Sequence, residues 1–172
     1  MIKTYSADGQ DLFVQEVMKG KRQGTFVDIG AAMPIQNNNT YLFQSEYDWS
    51  GLLIENDVNY VMQLLSRCPK ASVLQFDATT LDYEWAFKKW NMPKVIDYLS
   101  LDIDPPDATL EVLKRLPLDE YSFRCVTFEH DRYWYGDSVA EESREIFKKN
   151  GYTLYKKDAE CPLGPYEDWY IK

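Results

Sequence analysis

Apolar residues along the chain follow two alternating patterns: short runs that are apolar at nearly every position, and longer stretches with apolar residues three or four positions apart. The first is what a strand shows when both its faces are covered, and the second marks an amphipathic helix. The runs predict seven strands, at 25–30, 51–55, 72–77, 95–103, 123–129, 152–157 and 168–171. The helical spacing predicts helices at 9–19, 40–47, 58–66, 82–90, 109–115 and 138–150. The last has the clearest end signals, with Ser138 and Glu141 as a capping box and Gly151 as the stop.

Strand and helix alternate through the first five strands, which predicts a parallel sheet with helices on both faces. Only DAECPLGPYE separates the sixth strand from the seventh, too little for a crossover helix, so these two are expected to form an antiparallel hairpin. The expectation is a Rossmann-like three-layer α/β sandwich in one domain, 1–172, with a seven-stranded, mostly parallel sheet and an antiparallel C-terminal hairpin.

In such a sheet ligands bind beyond the carboxyl ends of the strands, where the strand order reverses. Each of the first five strands runs out into an acid: Asp28-Ile29-Gly30, Glu55-Asn56, Asp77-Ala78, Asp102-Ile103-Asp104 and Glu129-His130-Asp131. One such acid is commonly a helix cap, but five form an acidic rim that suits a cationic ligand better than a pyrophosphate. Glu55, 27 positions after Asp28, stands where a nucleotide-binding βαβ unit places the acid that receives both ribose hydroxyls. Asp77 and Ala78 stand where they could meet an adenine edge, and Asp77 equally suits a turn residue ahead of Thr79 and Thr80. Asp102 and Asp104 share a face by period-two alternation. No GxGxxG follows Gly30, which counts against a nicotinamide cofactor.

The lone histidine, His130, lies at a strand end between two acids and is a candidate general base, as is Asp104. Tyr133-Trp134-Tyr135 follows directly as a candidate acceptor wall. A net charge of -9 makes a nucleic-acid partner unlikely on electrostatic grounds. Three scattered cysteines and one histidine suit free thiols, not a disulfide framework or a transition-metal site, and no metal is expected. Neither a secretory signal nor a membrane span is visible, so the expected setting is cytoplasmic, with no membrane partner. Short loops leave the acceptor side open, to be completed by a second copy in a homo-oligomer or by a large acceptor.

At these residues the chain resembles the FkbM-like methyltransferases. The resemblance runs through GQDLF (9–13), GTFVDIGA (24–31), Asn39-Thr40, WSGLLIE (49–55), DYLSLDID (97–104) and YEDWY (166–170), and so spans nearly the whole chain. It implies the class I methyltransferase fold and S-adenosylmethionine as methyl donor, held by Asp28, Gly30, Asn39, Thr40, Glu55, Asp77 and Asp102, to which the strand-end positions add Asn56 and Ala78. It also implies O-methylation of a sugar, glycan or small natural-product acceptor. The segment Ala32 to Asn38 departs from the family pattern, as do Gln44 and Pro105-Pro106. A degraded donor site on a non-catalytic binding or partner protein is the alternative that this departure leaves open.

Overall fold

A computed structural model of the chain describes residues 3–172. Five parallel strands, β1 (Thr25–Ile29), β2 (Ser50–Glu55), β3 (Ala71–Gln75), β4 (Val95–Leu101) and β5 (Ser122–Glu129), are followed by β6 (Thr153–Cys161) and β7 (Gly164–Ile171). They form one sheet in the order β3-β2-β1-β4-β5-β7-β6, with β7 antiparallel to both of its neighbours. The order reverses between β1 and β4, so the carboxyl ends of these two strands flank the natural binding crevice.

Among the described residues seven helices accompany the strands: α1 (Gln10–Val17), α2 (Tyr41–Glu46), α3 (Val58–Arg67), α4 (Tyr83–Lys89), α5 (Pro106–Arg115), α6 (Arg132–Tyr135) and α7 (Ser138–Lys149). Side chains alternate across each strand and feed two cores. Val27, Ile29, Leu52 and Ile54 pack with Phe87 of α4, Leu113 of α5 and Phe147 of α7. Phe26 and Leu53 point the other way, toward Phe13 of α1, Phe43 of α2, Leu64 of α3 and Trp49. No helix among the described residues is long and apolar enough to cross a membrane. The cysteines are free thiols, with Cys68 and Cys125 buried.

Three local expectations need correction. The segment read as a loop, DAECPLGPYE, is mostly strand: β6 runs to Cys161, β7 begins at Gly164, and Pro162-Leu163 make the turn. The charges that suggested a loop lie on an edge strand, whose register irregularities absorb them. Helix α7 is capped by Asp137, and Ser138 is its first helical residue, with no side-chain cap. Its C-terminal signal does hold, since Gly151 (φ +78°) donates to Lys148 O. The four-residue α6, built from the aromatic run, had no periodicity to announce it.

Candidate functional site

Gly30 lies at the switch point. It takes φ +86°, and a Cβ there would sit 1.7 Å from the carbonyl oxygen of Asp102, so only glycine lets the ends of β1 and β4 approach this closely. Above this floor is a cavity of about 330 Å³, lined by Gly30, Ala32, Ile54, Glu55, Asn56, Phe76, Asp77, Ala78, Thr79, Asp102, Ile103, Asp104 and Ala108. Seven of the residues singled out in the sequence thus line one cavity: Gly30, Glu55, Asn56, Asp77, Ala78, Asp102 and Asp104. Their common origin is the strand end, since each follows or closes β1, β2, β3 or β4.

Glu55 anchors one side of this cavity. Its Oε1 accepts from Asn56 N–H and Asp57 N–H, both at 2.8 Å, and its Oε2 accepts from Ala32 N–H at 2.9 Å. A carboxylate has about four acceptor positions, so three are in use and one remains. The expectation that Glu55 receives two hydroxyls at once is therefore reduced to one. Among the described residues no cation pairs with Glu55, and Asn56 beside it is exposed. Asp77 accepts from the backbone and hydroxyl of Thr79 (2.9 and 2.7 Å), and those bonds hold its carboxyl below the usual range.

Asp28, Asn39 and Thr40 do not line the cavity. Alternation places Asp28 on the same face as Phe26, beneath the crevice, where it is 2% exposed and accepts from Thr40 Oγ1 at 3.0 Å. Burial pushes its carboxyl up to about 7. Asn39 Nδ2 donates to Ser100 Oγ at 3.0 Å. These three residues brace the segment after Gly30 from below. The sequence reading missed its organiser, Asn38, which is 1% exposed. Asn38 Nδ2 donates to Met33 O and Ala31 O (2.8 and 3.3 Å), while Oδ1 accepts from Thr40 N–H and Tyr41 N–H (3.0 and 2.7 Å). An Asn just before a helical pattern is a capping signal, and here it shapes a loop that has no second glycine.

On the opposite flank, Asp102 is followed by the exposed Asp104, and Glu129 closes β5 nearby. Burial, then the neighbouring Asp102 and Asp131, push the Glu129 carboxyl strongly upward, so Glu129 keeps its proton. Burial also raises Asp102.

The expectation for His130 is overturned. It is fully buried, and its Nδ1 accepts from Arg132 N–H at 3.3 Å, which leaves the ring proton on Nε2. Nε2 has no hydrogen-bond partner and faces Asp168 Oδ1 at 3.4 Å and Asp158 Oδ1 at 3.8 Å. Arg144 grips Asp168 through Nε and Nη2 (2.7 and 3.0 Å) and reaches Asp158 at 2.6 Å, and Arg132 Nη1 reaches Asp158 at 2.8 Å. Neither ring nitrogen is open to an acceptor. The three groups have metal-ligand spacing, but two guanidinium groups already balance the two carboxylates. Tyr133 and Trp134 are exposed on α6, and Tyr133 packs under the β6–β7 turn at Gly164.

The geometry has close counterparts among solved structures. An rRNA methylase from Streptococcus thermophilus superposes with a TM-score of 0.63 at 15% identity, over 100% of this chain and 98% of its own. Aeropyrum pernix fibrillarin, solved with natively bound S-adenosyl-L-methionine, gives 0.60 at 13% identity, over 95% and 73% of the two chains. A TehB-like SAM-dependent methyltransferase from Corynebacterium glutamicum gives 0.55 at 14%, over 95% and 87%. The fold is that of the class I methyltransferases. No family model matches the chain, and no curated protein matches it in sequence. At these identities the methyltransferase likeness is one of architecture, with the crevice between β1 and β4 in the place where such a sheet binds its ligand.

Proposed function

We propose that this chain transfers a methyl group from S-adenosylmethionine to a hydroxyl of a sugar, glycan or small natural-product acceptor, as a protein of FkbM-like type. The observation that carries the reading is the cavity over Gly30, where an uncompensated Glu55 stands at one side and Asp102 and Asp104 at the other. The donor's chemistry fits this lining. Its ribose brings hydroxyl donors, its adenine an apolar ring with an amine, and its methionine end a sulfonium and an ammonium.

Glu55 takes one ribose hydroxyl on the free position of Oε2, and the exposed Asn56 takes the other. Phe76, Ala78 and Ile103 cover the adenine, with Asp77 at its amine. Asp102 draws the positive end toward the gap between β1 and β4. When bound, S-adenosylmethionine supplies an electrophilic methyl group, so the protein's task is to align the acceptor and exclude water. Asp104 removes the hydroxyl proton as the acceptor oxygen attacks, a role left to it by the burial of His130. Tyr133 and Trp134 form the acceptor wall. The net charge of -9 supports a neutral acceptor over a polyanionic one.

Calorimetric titration with S-adenosylhomocysteine tests the donor site. Wild-type binding that weakens about 10- to 100-fold in Glu55→Ala is expected, the usual worth of a hydrogen bond to a charged group. Absence of binding to the wild type would favour the non-catalytic alternative. For the acceptor side, S-adenosylhomocysteine release is followed over a panel of hydroxylated acceptors. Asp104→Asn should lower turnover about 100-fold or more on any acceptor that the wild type methylates; equal turnover would remove Asp104 as the base.

A further inference from the structure

Beneath the crevice lies an acid to which the donor and acceptor chemistry gives no role. Asp28 stands two positions, about 7 Å, before Gly30 on β1. It pairs in register with Ser100 of β4, which puts it under the gap between these two strands, almost wholly buried. Every ionisable group around it is an acid. Glu55 at the end of β2 and Asp102 after β4 act on it from the lining of the cavity. The Cys68 thiol after α3 and the Tyr98 hydroxyl on β4 also face it, and burial keeps both neutral. Among the described residues no cation pairs with it. Burial raises the Asp28 carboxyl, and hydrogen bonds from Ser100 and Thr40 draw it part of the way back, to about 7.

The local geometry accommodates both protonation states. Thr40 Oγ1 lies 3.0 Å from Asp28 Oδ2 and 3.2 Å from Asn38 Oδ1, with one hydrogen for two acceptors. When Asp28 is ionised, that hydrogen is donated to its carboxylate. When Asp28 holds its proton, Asp28 donates to Thr40 Oγ1 and the hydroxyl turns to Asn38. A hydroxyl rotation is all that separates the two states.

We propose that Asp28 distinguishes the charged donor from the spent one: a sulfonium entering above it expels the Asp28 proton to bulk water, whereas the neutral thioether of S-adenosylhomocysteine leaves that proton in place. The inference rests on the reading of the cavity as a donor site. Only the Asp28 O–H bond breaks, and the proton returns once methyl transfer has removed the sulfonium charge. A unit charge at the distance of the cavity floor, across partly buried protein, favours the ionised carboxyl about 10- to 100-fold. Because the bound donor lowers the pH at which Asp28 ionises, donor affinity should rise with pH up to about 7 and level off above it. Product affinity should not follow.

Calorimetric titration of the full chain with S-adenosylmethionine and with S-adenosylhomocysteine, in phosphate and in imidazole near pH 6.5, provides the test. The two buffers differ in ionisation heat, so the difference between them counts released protons. Release of more than about half a proton is expected with S-adenosylmethionine and none with the product. Between about pH 5.5 and 7 the ratio of the two affinities should move roughly five- to tenfold toward the donor. Asp28→Asn should abolish both the release and the pH dependence of the ratio. Thr40→Val removes a donor to the ionised form, so it should keep both effects and move them to higher pH; it serves if the Asp28 variant does not fold. Equal proton release with the two ligands, or the same pH dependence in a folded Asp28→Asn, would overturn this inference and leave the donor site standing. A wild type that binds neither ligand would overturn both.

Discussion

The carboxylates of Glu55, which ends β2, and Asp168, within β7, are answered in opposite ways. Glu55 meets only backbone N–H groups and opens onto the cavity. Asp168 is fully buried and meets the Arg144 guanidinium, Asp158 N–H and the Tyr170 hydroxyl. Both lie at one end of the sheet, yet the first has charge left to offer a ligand and the second has none. A third treatment separates Asp28 and Glu129, which burial drives toward their protonated forms. What a strand-end acid can do depends on what neutralises it, and only the β1–β4 side of the sheet leaves that to a bound molecule.

The largest effect is expected where the compensation is internal. Arg144→Ala strands Asp168, whose carboxyl the arginine and His130 hold well below the usual range, and should cost about 3–5 kcal/mol in urea unfolding. Binding of S-adenosylhomocysteine by the folded fraction should not change. Glu55→Ala should show the reverse, with donor affinity weakened about 10- to 100-fold and stability altered by only about 1 kcal/mol. If either variant failed in both assays, the division between the two sides would collapse.

Asp28 sharpens the same contrast through pH. Its folded carboxyl titrates at about 7 against an ordinary 3.8, so between these values the folded chain holds a proton that the unfolded chain has released. Stability should therefore fall as pH rises from about 4 to 7, by up to roughly 4 kcal/mol, and the deficit should persist above 7. Glu167, pushed up to about 8 by burial, adds to the slope with the same sign. Asp168 has the opposite sign: its contribution is present above the ordinary carboxylate range and fades as pH falls below it. Thermal melts of wild type and Asp28→Asn across pH 4–8 check this, and the variant should show the shallower fall.

Much of this architecture is visible in local pattern. Runs such as TFVDI and SGLLIE announce strands covered on both faces, and a strand-end rule brings Gly30, Glu55, Asp77, Asp102 and Asp104 to one cavity. His130 shows where local reading stops. Its burial depends on Arg144, Asp158 and Asp168, between 14 and 38 positions away, and no motif near residue 130 reports that they converge. Asp28 differs for another reason: its strand-end position and the family resemblance point to the crevice, but alternation along β1 turns its side chain beneath it, beside Thr40. The hairpin strands are longer than local pattern predicts because proline, glycine and acids signal turns, although an edge strand tolerates all three.

The position of β7 bears on how the chain is made. Of the seven strands it is synthesised last, yet it lies between β5 and β6, and its Tyr166 hydroxyl bonds Gln10 and Asp8 near the other end of the described chain. During translation β5 and β6 must therefore wait with a strand-wide gap between them, and the Gln10 amide of α1 lacks the Tyr166 hydroxyl it donates to. Closing that gap joins residues more than 150 positions apart, a slow, non-local step that leaves sticky strand edges exposed to the cell until β7 arrives.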